Sequence, residues 1–189
     1  MNIHYKSITH ERTEDAPFVG ALVCASSCHI KCKGCFNKDL KKEHDLVASA
    51  EDIINEVKQN PFNQGIILAG LEWSDTPQEM IELCRVASAN DLEIIIYTGH
   101  TINDFRTIIG RSCCDEIGFA KLPENMITGN SSEMDAMIGC AILDDAIPND
   151  YYIKAGKYDR DRVVDGREHF GVALASDNQN IYKFEKAVD

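Results

Sequence analysis

Apolar residues fall along this chain in two alternating patterns, short continuous runs and longer stretches at helical spacing. Phe18 to Val23 is a continuous run of strand type. Gly65 to Ala69 (Gly-Ile-Ile-Leu-Ala) and Leu92 to Tyr97 (Leu-Glu-Ile-Ile-Ile-Tyr) are two more, closed by Gly70 and by Thr98-Gly99. Unbroken apolar runs of this length predict strands buried on both faces, as in a parallel sheet. Amphipathic stretches with helix punctuation lie between them. Ser49-Ala50-Glu51-Asp52 has the form of a capping box. It opens a helix with Ile53, Ile54 and Val57 on one face, stopped near Pro61. Thr76-Pro77-Gln78-Glu79 is a second box with proline at the first helical position, and Met80, Ile81, Leu83, Cys84 and Ala87 form the buried side. Thr101 to Asp104 caps a third helix, with Phe105, Ile108 and Ile109 inside and Gly110 at its end.

The pattern is looser at both ends. Residues 1–17 read as mixed and polar, lying across the outside. Residues 111–131, with Cys113 and Cys114, read as irregular. Ser132 to Leu143 predicts a helix with Met134, Met137, Ile138 and Ala141 facing in, and Pro148 follows its end. Tyr151 to Lys154 predicts a fourth strand, and Gly171 to Leu174 and Ile181 to Phe184 add short ones. Strands alternating with helices predict an α/β fold with a mostly parallel sheet and right-handed crossovers. Without repeats or linkers, residues 1–189 read as a single domain. Sites on such sheets lie at the C-terminal ends of the strands. Three loops should therefore open on one rim: a cysteine loop after the first strand, then Gly70-Leu71-Glu72, then Thr98-Gly99-His100.

Charge and leader signals narrow the setting. The formal net charge is −12, which argues against a nucleic-acid partner, because phosphate contacts need clustered cations. The nearest basic run, Lys38 to Lys42, is followed closely by Glu43 and Asp45. No apolar run approaches bilayer length, and the first residues carry no signal-like stretch, so a cytoplasmic protein without membrane contact is expected. Eight cysteines in such a chain point to metal or redox chemistry rather than a disulfide framework.

The chemistry concentrates between Cys24 and Asn37. Cys28, Cys32 and Cys35 have the spacing Cys-x3-Cys-x2-Cys, with Phe36 next. Three thiolates on a short loop suit an iron–sulfur cluster with one iron left open, whereas a closed zinc site takes four protein ligands. Zinc with Cys24 as fourth ligand, and a redox-active dithiol at Cys32 and Cys35, are the competing readings. Cys24 falls at a strand end with its side chain directed into a sheet layer, and His29 reads as a solvated loop residue. Cys84 belongs to a helix core, and Cys113-Cys114 is too close-set for two ligands of a second cluster.

Cys28-x3-Cys32-x2-Cys35-Phe36 resembles the signature of radical S-adenosylmethionine enzymes. Lys33-Gly34-Cys35-Phe36-Asn37 resembles the narrower form in the activating enzymes of anaerobic (class III) ribonucleotide reductase. Lys154-Ala155-Gly156-Lys157-Tyr158-Asp159 and Ala175-Ser176-Asp177-Asn178-Gln179 are similar to the tail of those activases. The resemblance implies a partial, open β/α barrel. It implies a [4Fe–4S] cluster on Cys28, Cys32 and Cys35, whose open iron chelates S-adenosyl-L-methionine. One electron from a flavodoxin or ferredoxin-like donor would cleave that cofactor to a 5′-deoxyadenosyl radical. The radical would take hydrogen from a glycine of the anaerobic reductase catalytic subunit, leaving a glycyl radical. Catalysis resides in the bound cofactor, so no side chain is assigned a catalytic role. By the same resemblance, Gly34 and Phe36 line the adenine side. Gly70 and Glu72 meet the cofactor ammonium, with Leu71 where the family has a second glycine and Trp73 where it often has proline. Thr98 closes the third strand as a further cofactor contact or a strand hydrogen bond. The same loops also suit two alternatives, a radical enzyme acting on another protein or peptide and a non-enzymatic iron–sulfur electron-transfer domain.

Overall fold

The computed structural model describes residues 1–113 and 131–186. In chain order the elements are β1 (Asn2–Arg12), β2 (Gly20–Ala25), β3 (Leu46–Ser49), α1 (Ala50–Gln59), β4 (Gly65–Ala69), α2 (Pro77–Ala89) and β5 (Glu93–Thr98). Then come α3 (Ile102–Cys113), α4 (Ser131–Ala146), β6 (Tyr151–Ala155), β7 (Glu168–His169), β8 (Val172–Ala173) and β9 (Asn180–Phe184). Seven strands make one sheet in the order β3-β1-β2-β4-β5-β6-β9, and β7 pairs with β8. The four central strands, β2, β4, β5 and β6, are parallel. β1, β3 and β9 complete the edges through antiparallel pairs. Among the described residues, no helix is long and apolar enough to cross a membrane.

The central strands are buried on both faces, as their unbroken apolar runs require. Alternate residues such as Val23, Ile66, Leu68, Ile94, Ile96 and Ile153 pack in one core with all four helices. Ile67, Ala69 and Ile95 point the other way, onto Ala16 and Phe18. Each fully buried Ile or Leu contributes about 2 kcal/mol of apolar transfer. Ser49 caps α1 by accepting the Asp52 amide, as the capping box predicts. Thr76 precedes α2 without a side-chain cap, and Pro77 supplies the start. In register, Cys24 lies beside Ala69 and Thr98 beside Ala155. The C-terminal ends of all four parallel strands therefore finish at one edge.

Four expectations are corrected. Residues 2–12 are not an outer strap: they form β1, with Ile3 and Tyr5 buried in the helix-side core. Gly110 does not end its helix, which continues to Cys113. A Cβ at Gly110 would stand 1.8 Å from the Asp135 carbonyl oxygen, and one at Gly139 1.9 Å from that of Arg106. The pair of glycines lets α3 and α4 cross backbone to backbone. That crossing sets the rotation of α4, so Ile142, Leu143 and Ala146 face the core while Met137 and Ala141 are exposed. Met134 and Ile138 are half-buried. The irregular stretch expected over 111–131 is helical to Cys113. Its remaining expectation, Cys114 included, lies outside the described residues.

Candidate metal centre

The loop after β2 carries Cys28, Cys32 and Cys35 to the rim, where it is fastened on two sides. Towards β4, Asp75 accepts the Ser27 hydroxyl and the His29 amide, both at 3.0 Å, and holds the His29 ring. The Glu72 amide donates to the Ser27 carbonyl at 2.8 Å. Towards β6, Lys33 pairs with Asp161 and bridges Asp159 through the backbone. His29 is thus a structural tie as well as an exposed loop residue. It is also 5.2 Å from the His100 ring, ring centre to ring centre.

A cleft of about 700 Å³, counted with its opening to solvent, lies beneath this loop. Cys28, Cys32, Cys35 and Phe36 line its mouth. Gly70, Leu71, Glu72, Thr98 and Gly99 line it from the ends of β4 and β5. The three loops expected to converge on one rim do so. Phe36 is exposed and its ring stands 4.5 Å from that of Tyr158. Gly34 is the predicted residue that does not line the cleft. It has φ +74°, and a Cβ there would meet the Arg160 side chain at 2.9 Å.

Each strand-end residue has a local task. Gly70 has φ +82°, and a Cβ on it would lie 2.3 Å from the Cys24 sulfur. Both conditions demand glycine. The Gly70 carbonyl accepts the Asn37 side-chain amide at 2.6 Å, tying the cysteine loop down once more. Leu71 turns into the helix-side core, and Trp73 is fully buried with its indole donating to the Val23 carbonyl at 3.1 Å. Glu72 is buried and accepts the Gly99 amide at 2.8 Å and the Ser74 hydroxyl at 2.8 Å. Thr98 accepts the His100 amide at 3.1 Å.

Tyr97 of β5 and residues from the last quarter of the chain complete the cleft, and the strand patterns did not reveal them. Tyr97, Lys154, Gly156, Tyr158 and Gln179 all line it. Gln179 accepts the Ala175 amide and donates to the Gly156 carbonyl, while Asn178 donates to the Lys157 carbonyl at 2.7 Å. The Asn178-Gln179 pair therefore braces the turn that follows β6. Gly156 makes that turn possible, with φ +120° and room for no side chain against Asn178.

The sulfur donors separate into two kinds. Cys24 is 1% exposed, its thiol donates to the Ala25 carbonyl, and burial pushes its pKa up to about 11. Cys28, Cys32 and Cys35 are half-exposed at one mouth. Burial raises the thiols of Cys28 and Cys32, with Cys35 adding to the rise at Cys32. Among the described residues, no three His, Cys, Asp or Glu side chains are already grouped as a metal site. Thiolates on a loop are drawn to final spacing by the metal that binds them. Three available sulfurs and a fourth withdrawn into the core fit a cluster with one open iron.

A family model described as the 4Fe–4S single cluster domain matches residues 19–120. That span covers more than half of the chain, from β2 through the cysteine loop and both strand-end loops, and the chain belongs to this iron–sulfur family. None of the curated proteins matches it.

Proposed function

We propose that this chain is a radical S-adenosylmethionine enzyme on a partial, open β/α barrel. Its substrate is the anaerobic ribonucleotide reductase catalytic subunit, on which it installs a glycyl radical. The observation that carries the reading is the convergence of Cys28, Cys32 and Cys35 with the Glu72 and Thr98 loops around one cleft. A mere electron carrier needs no chamber beside its cluster. When bound, the cluster supplies the single electron for reductive cleavage of the cofactor.

The chain's own residues place and shield. Cys28, Cys32 and Cys35 would hold the cluster, and Cys24 stays out of the ligand set. Glu72 retains unused lone pairs beside its bonds to Ser74 and Gly99, so it can accept a cofactor ammonium. Phe36 and Tyr158 offer flat apolar faces to an adenine ring at the mouth. The open cleft admits a loop of a protein substrate. Lys31, Lys38, Lys157 and Arg160 are exposed near the cysteine loop and make no ion pair among the described residues. That local basic surface on an acidic chain favours an acidic electron donor of the flavodoxin or ferredoxin kind.

The test is anaerobic reconstitution with iron and sulfide, followed by dithionite and S-adenosylmethionine. Formation of 5′-deoxyadenosine is expected. Cluster absorbance without it would leave an electron-transfer domain, a reading favoured by the side chain of Leu71 where close backbone approach calls for glycine. With the reductase added, electron paramagnetic resonance should show the glycyl doublet. Deoxyadenosine without that doublet would point to another protein or peptide substrate.

A further inference from the structure

Lys154 is the one cation lining the cleft among the described residues, and it has no carboxylate partner. The residue is 8% exposed. Its ammonium donates to the Ala173 carbonyl at 3.0 Å and stands 4.6 Å from the centre of the Tyr97 ring, another wall of the cleft. An ammonium has three donors, and this one has a single protein acceptor. The carboxylate whose charge reaches it, Asp15, is already paired with Arg12 at 2.6 Å. Burying a charge without a counter-ion is costly, and burial lowers the Lys154 pKa to about 8. Nothing in the sheet requires a lysine here, since an apolar residue would pack against Tyr97 without that cost.

We propose that Lys154 anchors a carboxylate-binding subsite in the cleft. A single buried ammonium balances a monoanion in this cleft, where the other charged side chain among the described lining residues besides the cysteines, Glu72, is already engaged with Ser74 and Gly99. A phosphate dianion would call for further cations or a row of backbone amides. The carboxylate has two possible sources, the methionyl end of the cofactor or an acidic group on the substrate. The first source rests on the proposed radical chemistry, and the second does not.

Two measurements on the full chain test the subsite. In the first, the 15Nζ resonance of Lys154, identified by its loss in Lys154→Gln, is followed while acetate replaces chloride at constant ionic strength. A saturable shift confined to Lys154 is expected. In the second, calorimetry compares S-adenosylhomocysteine with 5′-methylthioadenosine, which lacks the amino-acid carboxylate and ammonium, in wild type and in the Lys154 variants. At least ~10-fold tighter binding of the former is expected, a difference of about 1.4 kcal/mol. Lys154→Gln should reduce that preference to what Glu72 gains from the ammonium alone, and Lys154→Arg should keep most of it. An acetate response with equal affinities, or with neither nucleoside bound, assigns the carboxylate to the substrate, and failure of both nucleosides removes the cofactor reading alone. No acetate response, together with an unchanged nucleoside preference in Lys154→Gln, overturns the subsite.

Discussion

The carboxylate of Glu72 accepts the amide of Gly99 across the ends of two neighbouring strands, at 2.8 Å. Its other oxygen takes the amide and hydroxyl of Ser74, so one buried side chain fixes the turn it belongs to and the turn next door. The distance between the two loops that face the cysteines is set by this bond.

Removing the carboxylate should therefore loosen the rim and cost stability. Glu72→Ala leaves the Ser74 and Gly99 amides without their acceptor in a buried place. The expected loss is about 3 kcal/mol of unfolding free energy, with about half of it in Glu72→Gln, which keeps a carbonyl acceptor. Urea unfolding of the metal-free chain measures both. A loss below about 0.5 kcal/mol in the alanine variant would show that the bond does not hold the loops.

The glycine pair between α3 and α4 predicts the opposite of helix propensity. Alanine is favoured over glycine inside a helix by about 1 kcal/mol. At Gly110 and Gly139 its Cβ would overlap a backbone carbonyl on the facing helix, at 1.8 and 1.9 Å. Gly110→Ala and Gly139→Ala should each destabilise by roughly 2–4 kcal/mol, a cost at or above the usual overpacking range because backbone must move. Denaturant midpoints, or a fall in thermal midpoint, check this.

These cases show what the chain makes legible. Continuous apolar runs announced β2, β4 and β5, and their parallel order placed three loops on one rim. β1 was hidden because its alternation of Asn2, Ile3, His4 and Tyr5 is a period-two pattern within a polar-looking segment. Gly110 carries the same residue type whether it ends a helix or admits a neighbour. Only the partner helix distinguishes the two uses. That Lys154 and Tyr97 line the cleft was not legible in their strands, because runs buried on both faces do not say which face lines a cleft. The C-terminal segment joins the site through β9, which pairs antiparallel with β6 at the sheet edge.

Lys154 also makes a pH prediction. Burial lowers its pKa from 10.5 to about 8, and Asp15 only partly opposes this. In the unfolded chain the amine stays protonated to about 10.4. Between these values the unfolded state binds the extra proton, so stability rises with pH. Below about pH 8 the cost of the buried charge, on the order of 3 kcal/mol, is fully present. Tyr97, raised by its own burial, titrates in the opposite sense, as do the buried thiols. The difference between wild type and Lys154→Met removes those common contributions. That difference should climb in favour of wild type from pH 8 to 10, measured by guanidinium unfolding, and a flat difference would mean that Lys154 is not desolvated.

Cys24 and Gly70 provide the sharpest check on the ligand set. Three cysteines are half-exposed at the cleft mouth, whereas Cys24 is buried in β2 with its thiol pushed up to about 11. Cys24→Ala should therefore retain iron and acid-labile sulfide after anaerobic reconstitution, and alanine at Cys28, Cys32 or Cys35 should lose them. Iron loss in a folded Cys24→Ala protein would make Cys24 a ligand and revive a four-sulfur site. The same sulfur predicts a coupling. Gly70→Ala meets two penalties, a positive φ and a Cβ 2.3 Å from the Cys24 sulfur, and should cost about 3 kcal/mol. In the Cys24→Ala background the sulfur overlap is gone and the strained backbone remains, so the cost should fall by about half. A double-mutant cycle in urea measures that coupling, and strict additivity would show that Gly70 is required for its backbone conformation alone.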